Sequence, residues 1–380
     1  MVRRKIFLAK IRDLTLILLV TFLALELIFR LLPVSDSLEL QPVNRNSPVA
    51  HYKPNRLVTR STGYSFDHIV EKKVNNYGYL SDLNFEASNN KKKIVVIGDS
   101  YVEALQVSNA ASVHGYLNKL LPLNYESYGI GVSGSPLSQY LIFAKKAIVE
   151  FKPEYAIILV VANDFDESLL QYKAAPGMHY FDASFNLVRI DYRPTVLKQI
   201  LRTSAFARYL HLDYKILSRL ERFSFQNLMS VSASQINITN KRTHNSDAQK
   251  REVTNLLARK NLDASSDQKD KRIKKMLQHF FGELSSLDYR RRIIFLLDAD
   301  RGSIYNGESK RRDQSFFKYF ISFCEKNGYR YLDLQESFSQ HFSKNGQKFE
   351  FLNDAHWNEL AHRLSAELII DRINLRVDKN

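Results

Sequence analysis

The chain has 380 residues, of which 44% are apolar and 25% charged, so it is long and apolar enough to bury one large core. Its formal net charge of +15 is strongly basic. The most basic internal segment, residues 241–275, nevertheless has few aromatic residues, which argues against a nucleic-acid partner. The single cysteine excludes an internal disulfide, and the histidines show no metal-ligand spacing, so neither a metal nor another cofactor is predicted.

The first element in chain order is an apolar stretch at residues 14–32, LTLILLVTFLALELIFRLL. A helix of this length nearly spans a hydrocarbon core of about 30 Å, and its charges, Glu26 and Arg30, can pair. No small-residue cleavage site follows, so we expect a transmembrane helix, with a cleaved signal peptide as the alternative. The basic residues that precede it are Arg3, Arg4, Lys5, Lys10 and Arg12. By the positive-inside rule they keep residues 1–13 in the cytoplasm and place the rest on the periplasmic side of the inner membrane.

Residues 33–74 are polar and contain Pro42, Pro48 and Pro54, which predicts an extended stalk. Residues 75–380 then alternate short apolar runs with helical patterns, as expected of an α/β domain with a parallel sheet. Strands are predicted at 93–98, 125–129, 155–161, 293–298 and 329–334, and helices near 110–121, 137–150, 313–326 and 357–372.

The interval between the third and fourth predicted strands is far longer than a crossover requires. It predicts an insertion at about residues 165–290, with helices around 194–230 and 268–287 and a mobile stretch near 235–265. In the last predicted helix, Leu360, Leu364 and Leu368 recur every four residues and are expected to mark the buried face. His362 lies off that face, so we expect it to be exposed to solvent.

Four short blocks carry polar residues next to predicted strands or helices. They read IVVIGDS at 94–100, GIGVSGSPLSQ at 129–139, AIILVVAND at 156–164 and NDAHWN at 353–358. In the first, a buried-strand pattern stops at Gly98, and the sharp turn that follows should raise the hydroxyl of Ser100 at the carboxyl edge of the sheet. Open α/β sheets carry their sites at this edge.

The order of these blocks resembles that of the SGNH, or GDSL-type, hydrolase and esterase superfamily. The resemblance extends over roughly residues 75–372 and implies a flavodoxin-like three-layer parallel sheet. Carried over by position, it implies Ser100 as the nucleophile and His356 as its base. It also implies an oxyanion hole formed by Ser100, Gly134 and Asn163. In such a site an imidazole takes the serine proton and preorganised donors stabilise the developing oxyanion.

The acid that orients the histidine is the point where the chain departs from the family pattern. The family commonly has this acid three residues before the histidine, where this chain has Asn353. The carboxylate is instead Asp354, two residues before His356. Exported polysaccharide-modifying branches of the superfamily use an Asp-x-His-Trp pattern, so the resemblance implies Asp354 as the third catalytic residue.

Each block also has an interpretation without function. Gly134 can serve a tight loop, and Asn163 can be a turn or helix-capping residue. His356 can be a surface histidine at a helix start, with Asp354 as the N-cap. The joint occurrence of the blocks favours the functional interpretation.

Membrane-anchored relatives in this superfamily process acyl groups on cell-envelope carbohydrates, and the resemblance implies this substrate class. We expect a serine esterase that removes acyl groups, acetyl above all, through an acyl-serine intermediate. Two alternatives stay open: an O-acyltransferase that passes the group to a polysaccharide hydroxyl, and a non-catalytic binding module for envelope assembly. The expected partners are the membrane and an acylated carbohydrate, without nucleic acid. The residues predict no oligomeric state.

Overall fold

The computed structural model describes residues 2–216, 219, 267–308, 310–311 and 315–375. The chain divides into two compact units that alternate along the sequence. The first comprises the described residues of 1–38, 58–71 and 194–249, and the second those of 39–57, 72–193 and 250–380. Residues 235–265, where a mobile stretch is predicted, lie outside the described residues.

The described secondary structure follows the chain in this order. The strands are β1 (Arg56–Thr62), β2 (His68–Val74), β3 (Lys92–Gly98), β4 (Tyr125–Gly131), β5 (Tyr155–Val160), β6 (His179–Phe181), β7 (Leu187–Arg189), β8 (Ile293–Leu297), β9 (Arg330–Asp333), β10 (Glu350–Phe351) and β11 (Asp354–Trp357). The helices are α1 (Val2–Arg30), α2 (Ser100–Glu103), α3 (Val113–Leu120), α4 (Leu137–Phe151), α5 (Asp164–Glu167), α6 (Val196–Thr203), α7 (Ala205–Arg208), α8 (267–285), α9 (Arg301–Tyr305), α10 (Ser315–Asn327), α11 (Leu334–Asn345) and α12 (Glu359–Ile373).

A five-stranded sheet in the order β4-β3-β5-β8-β9 forms the centre of the second unit. All of its neighbouring strands are parallel. This order, 2-1-3-4-5 within the sheet, is that of the flavodoxin-like folds, so the predicted fold class is confirmed for this domain. The strand order reverses at β3, and sheets of this kind bind ligands at the carboxyl ends of the strands beside such a point.

Both faces of the sheet are covered by helices. On one face, Ile94 and Val96 of β3 share a buried cluster with α3 and α12. On the other, Phe295 of β8 packs against Phe280 of α8 and Phe320 of α10. Because no face meets water, β5 and β8 read as continuous apolar runs rather than as alternating patterns. For the same reason the sequence identifies all five strands of the sheet.

His362 is buried, which corrects the expectation that it is exposed to solvent. The core face of α12 consists of Ala361, His362, Ser365, Ala366, Ile369, Ile370 and Ile373. The ring of His362 packs against Trp357, with a distance of 5.4 Å between ring centroids. The leucines at every fourth position are only half-buried at the edge of this face. Small residues such as Ala361 and Ala366 let α12 pack closely against the core of the sheet. A pattern of hydrophobic residues alone does not reveal which face of the helix packs in this way.

The first unit contains α1, α6 and α7. Helix α1 includes residues 14–30 of the predicted transmembrane stretch. Among the described residues no helix is long and apolar enough to cross a bilayer. Glu26 interrupts the apolar run of α1 and accepts hydrogen bonds from Ser204 Oγ (2.7 Å) and the N–H of Ala205 (3.1 Å) at the start of α7. The predicted pair forms as well, because Arg30 Nε donates to Glu26 Oε1 at 2.8 Å.

Two segments that were each predicted as one continuous part of the chain are divided between the two units. Residues 33–74, predicted as a stalk, contain β1 and β2 and are divided between the two units. The predicted insertion at about 165–290 contains the short β6–β7 pair, α6, α7 and α8. Its described residues within 194–249 belong to the first unit and its other described residues to the second.

Candidate active site

The turn between β3 and α2 positions Ser100. Asp99 is the N-cap of α2, and its carboxylate accepts a hydrogen bond from the N–H of Tyr101 at 3.0 Å. Glycine is required at position 98, because a Cβ atom there would lie 2.6 Å from Cγ2 of Val102. The chain can therefore leave the strand and enter the helix within two residues, and the half-buried Ser100 lies at the carboxyl edge of the sheet.

Ser100, His356 and Asp354 form one continuous hydrogen-bonded chain. The distance from His356 Nε2 to Ser100 Oγ is 2.9 Å, and the distance from His356 Nδ1 to Asp354 Oδ1 is 2.5 Å. The N–H of His356 also donates to Asp354 Oδ1 at 3.0 Å. The structure thus brings together three residues that lie as much as 256 positions apart in the sequence. This is the arrangement in which an imidazole can accept the serine proton while a carboxylate orients the ring.

Strand β11 carries both His356 and Asp354, and three side chains from other segments hold this strand in place. Arg301 Nη1 donates to the carbonyl oxygen of Ala355 at 2.7 Å, and the Tyr101 hydroxyl donates to the same oxygen at 3.2 Å. The indole N–H of Trp357 donates to Asp298 Oδ1 at 2.9 Å. The histidine is therefore fixed by contacts from α2, from α9 and from the residue that follows β8.

Gln106 is a site residue that the sequence does not reveal. Its Nε2 donates to Asp354 Oδ2 at 3.0 Å, so both carboxylate oxygens accept hydrogen bonds. Burial alone would raise the pKa of Asp354, but the hydrogen bonds from His356 and Gln106 lower this pKa well below its usual range. Asp354 is consequently ionised at neutral pH, the state in which a carboxylate stabilises an imidazolium.

Gly134 and Asn163 follow the two strands that flank β3 in the sheet, β4 and β5. Gly134 has a φ of +76°, so the loop after β4 uses a left-handed conformation there. Asn163 is exposed at the start of α5. Within the described residues, neither residue forms a hydrogen bond with Ser100. The three residues nevertheless share the carboxyl edge of the sheet, with Ser100 on the central one of the three strands.

A buried contact joins α2 to the loop that holds Gly134. The Ser133 hydroxyl donates to the carboxylate of Glu103, the last residue of α2. Glu103 is fully buried, and burial raises its pKa. Gly131 is also needed here, because a Cβ atom at this position would lie 2.5 Å from the backbone nitrogen of Glu103. These contacts hold the end of β4 and its loop against α2.

The residues that sequence reasoning missed are thus Glu103, Gln106, Asp298 and Arg301. Asp298 could have been found from the sequence, because it is a polar residue directly after an apolar strand. Asn163 was singled out for a similar position after its own strand. Glu103 had a weaker signal, a carboxylate one helical turn after Ser100. Nothing in the local pattern points to Gln106 or Arg301, whose partners are distant in sequence.

Lys72 lies behind α2 and is buried. Its Nζ donates to the carbonyl oxygens of Ala104 at 2.5 Å and Val107 at 2.7 Å. Ala104 ends α2 in a left-handed conformation, with a φ of 52°. Burial lowers the pKa of Lys72 from 10.5 to about 7. The lysine therefore donates to carbonyl oxygens that the short helix leaves unsatisfied.

Lys72→Met should change how stability depends on pH. Between pH 7 and 10.5 the unfolded wild-type chain holds a proton on Lys72 that the folded chain lacks, so this group makes stability rise with pH. The slope is about 1.4 kcal/mol per pH unit within this window. Urea unfolding at pH 7, 8 and 9 should show the wild type gaining stability relative to Lys72→Met. Lys73→Met serves as the control, and equal pH profiles for wild type and Lys72→Met would contradict the prediction.

Comparisons with known proteins give only distant matches. No family model matches the chain, and no curated protein does. Among solved structures, the acetyl xylan esterase AlAXEase is 11% identical with a TM-score of 0.40, over 74% of this chain and 99% of that one. A lipolytic protein of the G-D-S-L family from Veillonella parvula is 8% identical with a TM-score of 0.35, over 74% and 98%. A lipase/acylhydrolase from Enterococcus faecalis is 14% identical with a TM-score of 0.35, over 76% and 99%. The assignment of function depends on the geometry of the site itself.

Proposed function

We propose that the protein is a serine esterase that removes acyl groups, acetyl above all, from carbohydrate of the cell envelope. The observation that carries this proposal is the hydrogen-bonded chain Ser100–His356–Asp354 at the carboxyl edge of the parallel sheet. A surface histidine with a capping aspartate would not need a serine hydroxyl 2.9 Å from its second ring nitrogen. The order of the four sequence blocks supports the same reaction.

In the first half of the reaction, Ser100 Oγ attacks the ester carbonyl carbon while His356 Nε2 accepts the hydroxyl proton. The oxyanion that forms is stabilised by the N–H groups of Ser100 and Gly134 and by the amide of Asn163. The bond between the carbonyl carbon and the sugar oxygen then breaks, and His356 returns its proton to that oxygen. The acyl group stays on Ser100, and Asp354 stabilises the imidazolium in both proton transfers.

In the second half, water repeats the attack with His356 as base, which releases the free acid and restores the serine. A sugar hydroxyl in place of water would give the acyltransferase reaction. Ser100 is only half-buried and Asn163 is exposed. The reacting atoms therefore lie near the surface, which suits an ester that projects from a polymer better than a deeply enclosed ligand.

The proposal is tested with the full chain on activated acetyl and butyryl esters, and on acetylated oligosaccharides with a free oligosaccharide as acceptor. Release of acetate identifies an esterase, and the appearance of acetylated acceptor identifies a transferase. The absence of both reactions, with a correctly folded protein, would contradict an enzymatic function and favour the binding module.

Asn163→Ala tests the oxyanion hole. Removal of one such donor costs about 10²–10³ in kcat, and we expect a loss of this size with little change in KM. Asn163→Asp should lose at least as much, because a carboxylate repels the developing oxyanion. Steady-state kinetics on an activated acetyl ester measure both variants. If Asn163→Ala keeps nearly full kcat, the oxyanion is held by other donors.

We further propose that the esterase acts on the extracytoplasmic side of the inner membrane. The supporting feature is the sequence of the N-terminal segment, in which basic residues precede a strongly apolar stretch. A reporter that is active only outside the cytoplasm, fused after residue 380, should be active in cells. Activity of a cytoplasm-only reporter at the same position would contradict this compartment.

A further inference from the structure

A basic cleft of about 820 Å³ lies in the second unit. Its lining includes Lys152, Asp288, Tyr289, Arg290, Arg291 and Arg292, and we refer to it as the arginine cleft. Four of these side chains are cationic and one is acidic. Neither the sequence blocks nor the proposed reaction uses any of them.

The arginine cleft lies at the sheet edge opposite the Ser100 site. Lys152 ends α4 just before β5, and the three arginines form a short turn directly before β8. These two strands are neighbours, with Ala156 opposite Ile293 at their amino ends. Ser100 follows the carboxyl end of β3, which is parallel to β5. At about 3.3 Å per residue, strands of this length separate the two edges by roughly 20 Å.

The cations of the arginine cleft are available to a ligand. Lys152, Arg290, Arg291 and Arg292 are exposed, and among the described residues none of them pairs with a carboxylate. The nearest acids in the sequence are engaged elsewhere, since Glu154 pairs with Lys92 (3.7 Å) and Glu283 with Lys145 (2.7 Å). Asp288, the one acid of the lining, leaves a clear excess of positive charge.

Aromatic rings hold two of these guanidinium groups in place. Arg292 lies over the ring of Tyr289 at 5.4 Å, and Arg290 lies over the ring of Tyr329 at 5.8 Å. Arg330 supports the turn by donating to the carbonyl oxygen of Arg291 at 2.9 Å. Arg292 Nη1 also donates to the carbonyl oxygen of Pro153 at 3.5 Å and to the Tyr289 hydroxyl at 3.4 Å. The remaining N–H groups of a stacked guanidinium can bind a planar anion through parallel hydrogen bonds.

We infer that the arginine cleft binds the repeated carboxylates of an acidic polysaccharide and so holds a polymeric substrate away from the reacting ester. This inference rests on the proposed carbohydrate function. A row of cations matches a polyanion better than a single anionic group. A chain held at one edge of the sheet raises the local concentration of its acyl groups at the other.

Two other polyanions fit the arginine cleft less well. Single-stranded nucleic acids bind on open aromatic faces where bases stack, whereas the rings of Tyr289 and Tyr329 are occupied by guanidinium groups. Stable attachment to a membrane surface takes inserted apolar groups beside the cations, and within the described residues no aliphatic side chain lines the cleft.

Binding of the full chain to polygalacturonate oligomers, measured by calorimetry, tests the inference. The double variant Arg290→Gln/Arg291→Gln should weaken binding by about tenfold or more, since each lost charge contact is worth about 0.7 kcal/mol or more at a multivalent site. Lys119→Gln/Lys274→Gln is the matched control. It removes two exposed cations elsewhere on the surface, which lie over tyrosine rings at 4.6 Å and 3.7 Å, and so matches the change in charge. The control should bind within twofold of the wild type, and neutral dextran should not bind.

Equal losses in the two double variants would overturn the inference, because the attraction would then be a property of the overall charge. Binding to vesicles of anionic lipid without binding to polygalacturonate would also overturn it. Both double variants should hydrolyse a small activated ester at the wild-type rate. Ser100→Ala should bind the oligomer as the wild type does. A wild-type protein that binds the oligomer but shows no esterase activity contradicts only the proposed function. An active esterase that does not bind it contradicts only the arginine cleft.

Discussion

Ser100→Ala should abolish turnover of an activated acetyl ester and leave the fold intact. Ser100 Oγ is the only atom of the hydrogen-bonded chain that can form the acyl bond, and its partner is His356 Nε2 at 2.9 Å. Loss of the serine leaves only catalysis by substrate binding and the oxyanion donors, and for such a change in a serine protease the loss is on the order of 10⁶ in kcat. Steady-state kinetics with circular dichroism measure the two effects.

Ser108→Ala is the control for this experiment. Ser108 lies eight positions after Ser100 in the same region, and its hydroxyl makes no capping hydrogen bond in the short helix that follows. This variant should keep wild-type turnover. A fluorophosphonate probe should add its mass to the wild type and to Ser108→Ala but not to Ser100→Ala. Near-wild-type turnover by purified Ser100→Ala would show that another residue is the nucleophile.

Asp354→Asn is expected to give the second large effect, a loss as large as about 10⁴ in kcat. The asparagine keeps the shape of the side chain, but it permits the wrong tautomer of His356 and cannot stabilise the imidazolium. The change also removes the charge that Gln106 and the ring of His356 stabilise. Kinetics across pH on an activated ester measure the loss.

Asn353→Ala is the matched control, because Asn353 is adjacent and exposed in the turn before β11. It should cost far less than Asp354→Asn, and this asymmetry would separate the acid of this chain from the position that the family commonly uses. Full activity in Asp354→Asn, together with loss in His356→Ala, would indicate a Ser-His pair. Asp164 and Asp166 are poor substitutes as the acid. Asp164 accepts from Tyr140 at 3.0 Å and Asp166 from Lys269 at 2.5 Å.

The strands of the central sheet could be predicted because burial on both faces constrains the residues of each strand locally. A strand buried on both faces must be apolar along its whole length, so each run of β-branched and apolar residues predicts one strand. The polar residues that end these runs, Ser100 and Asn163, fall at the carboxyl edge for the same reason. Both helix ends and glycine turns have signatures within a few residues, as Asp99 and Gly98 show.

One prediction that the structure corrects concerns the packing of α12. His362 was expected in solvent because leucines outline one face of α12, whereas the small residues of another face allow the closest packing.

What the sequence determined by itself is therefore the order of the strands and helices and the identity of the serine, histidine and aspartate blocks. Each of these follows from residues within one short window, where hydrophobic burial and turn geometry act locally. Only the tertiary structure decided that His356 meets Ser100, that Gln106 and Arg301 fix the histidine strand, and that four cations converge in the arginine cleft. These contacts join residues far apart along the chain, and their geometry is set by the packing of the parallel strands, which no local pattern encodes.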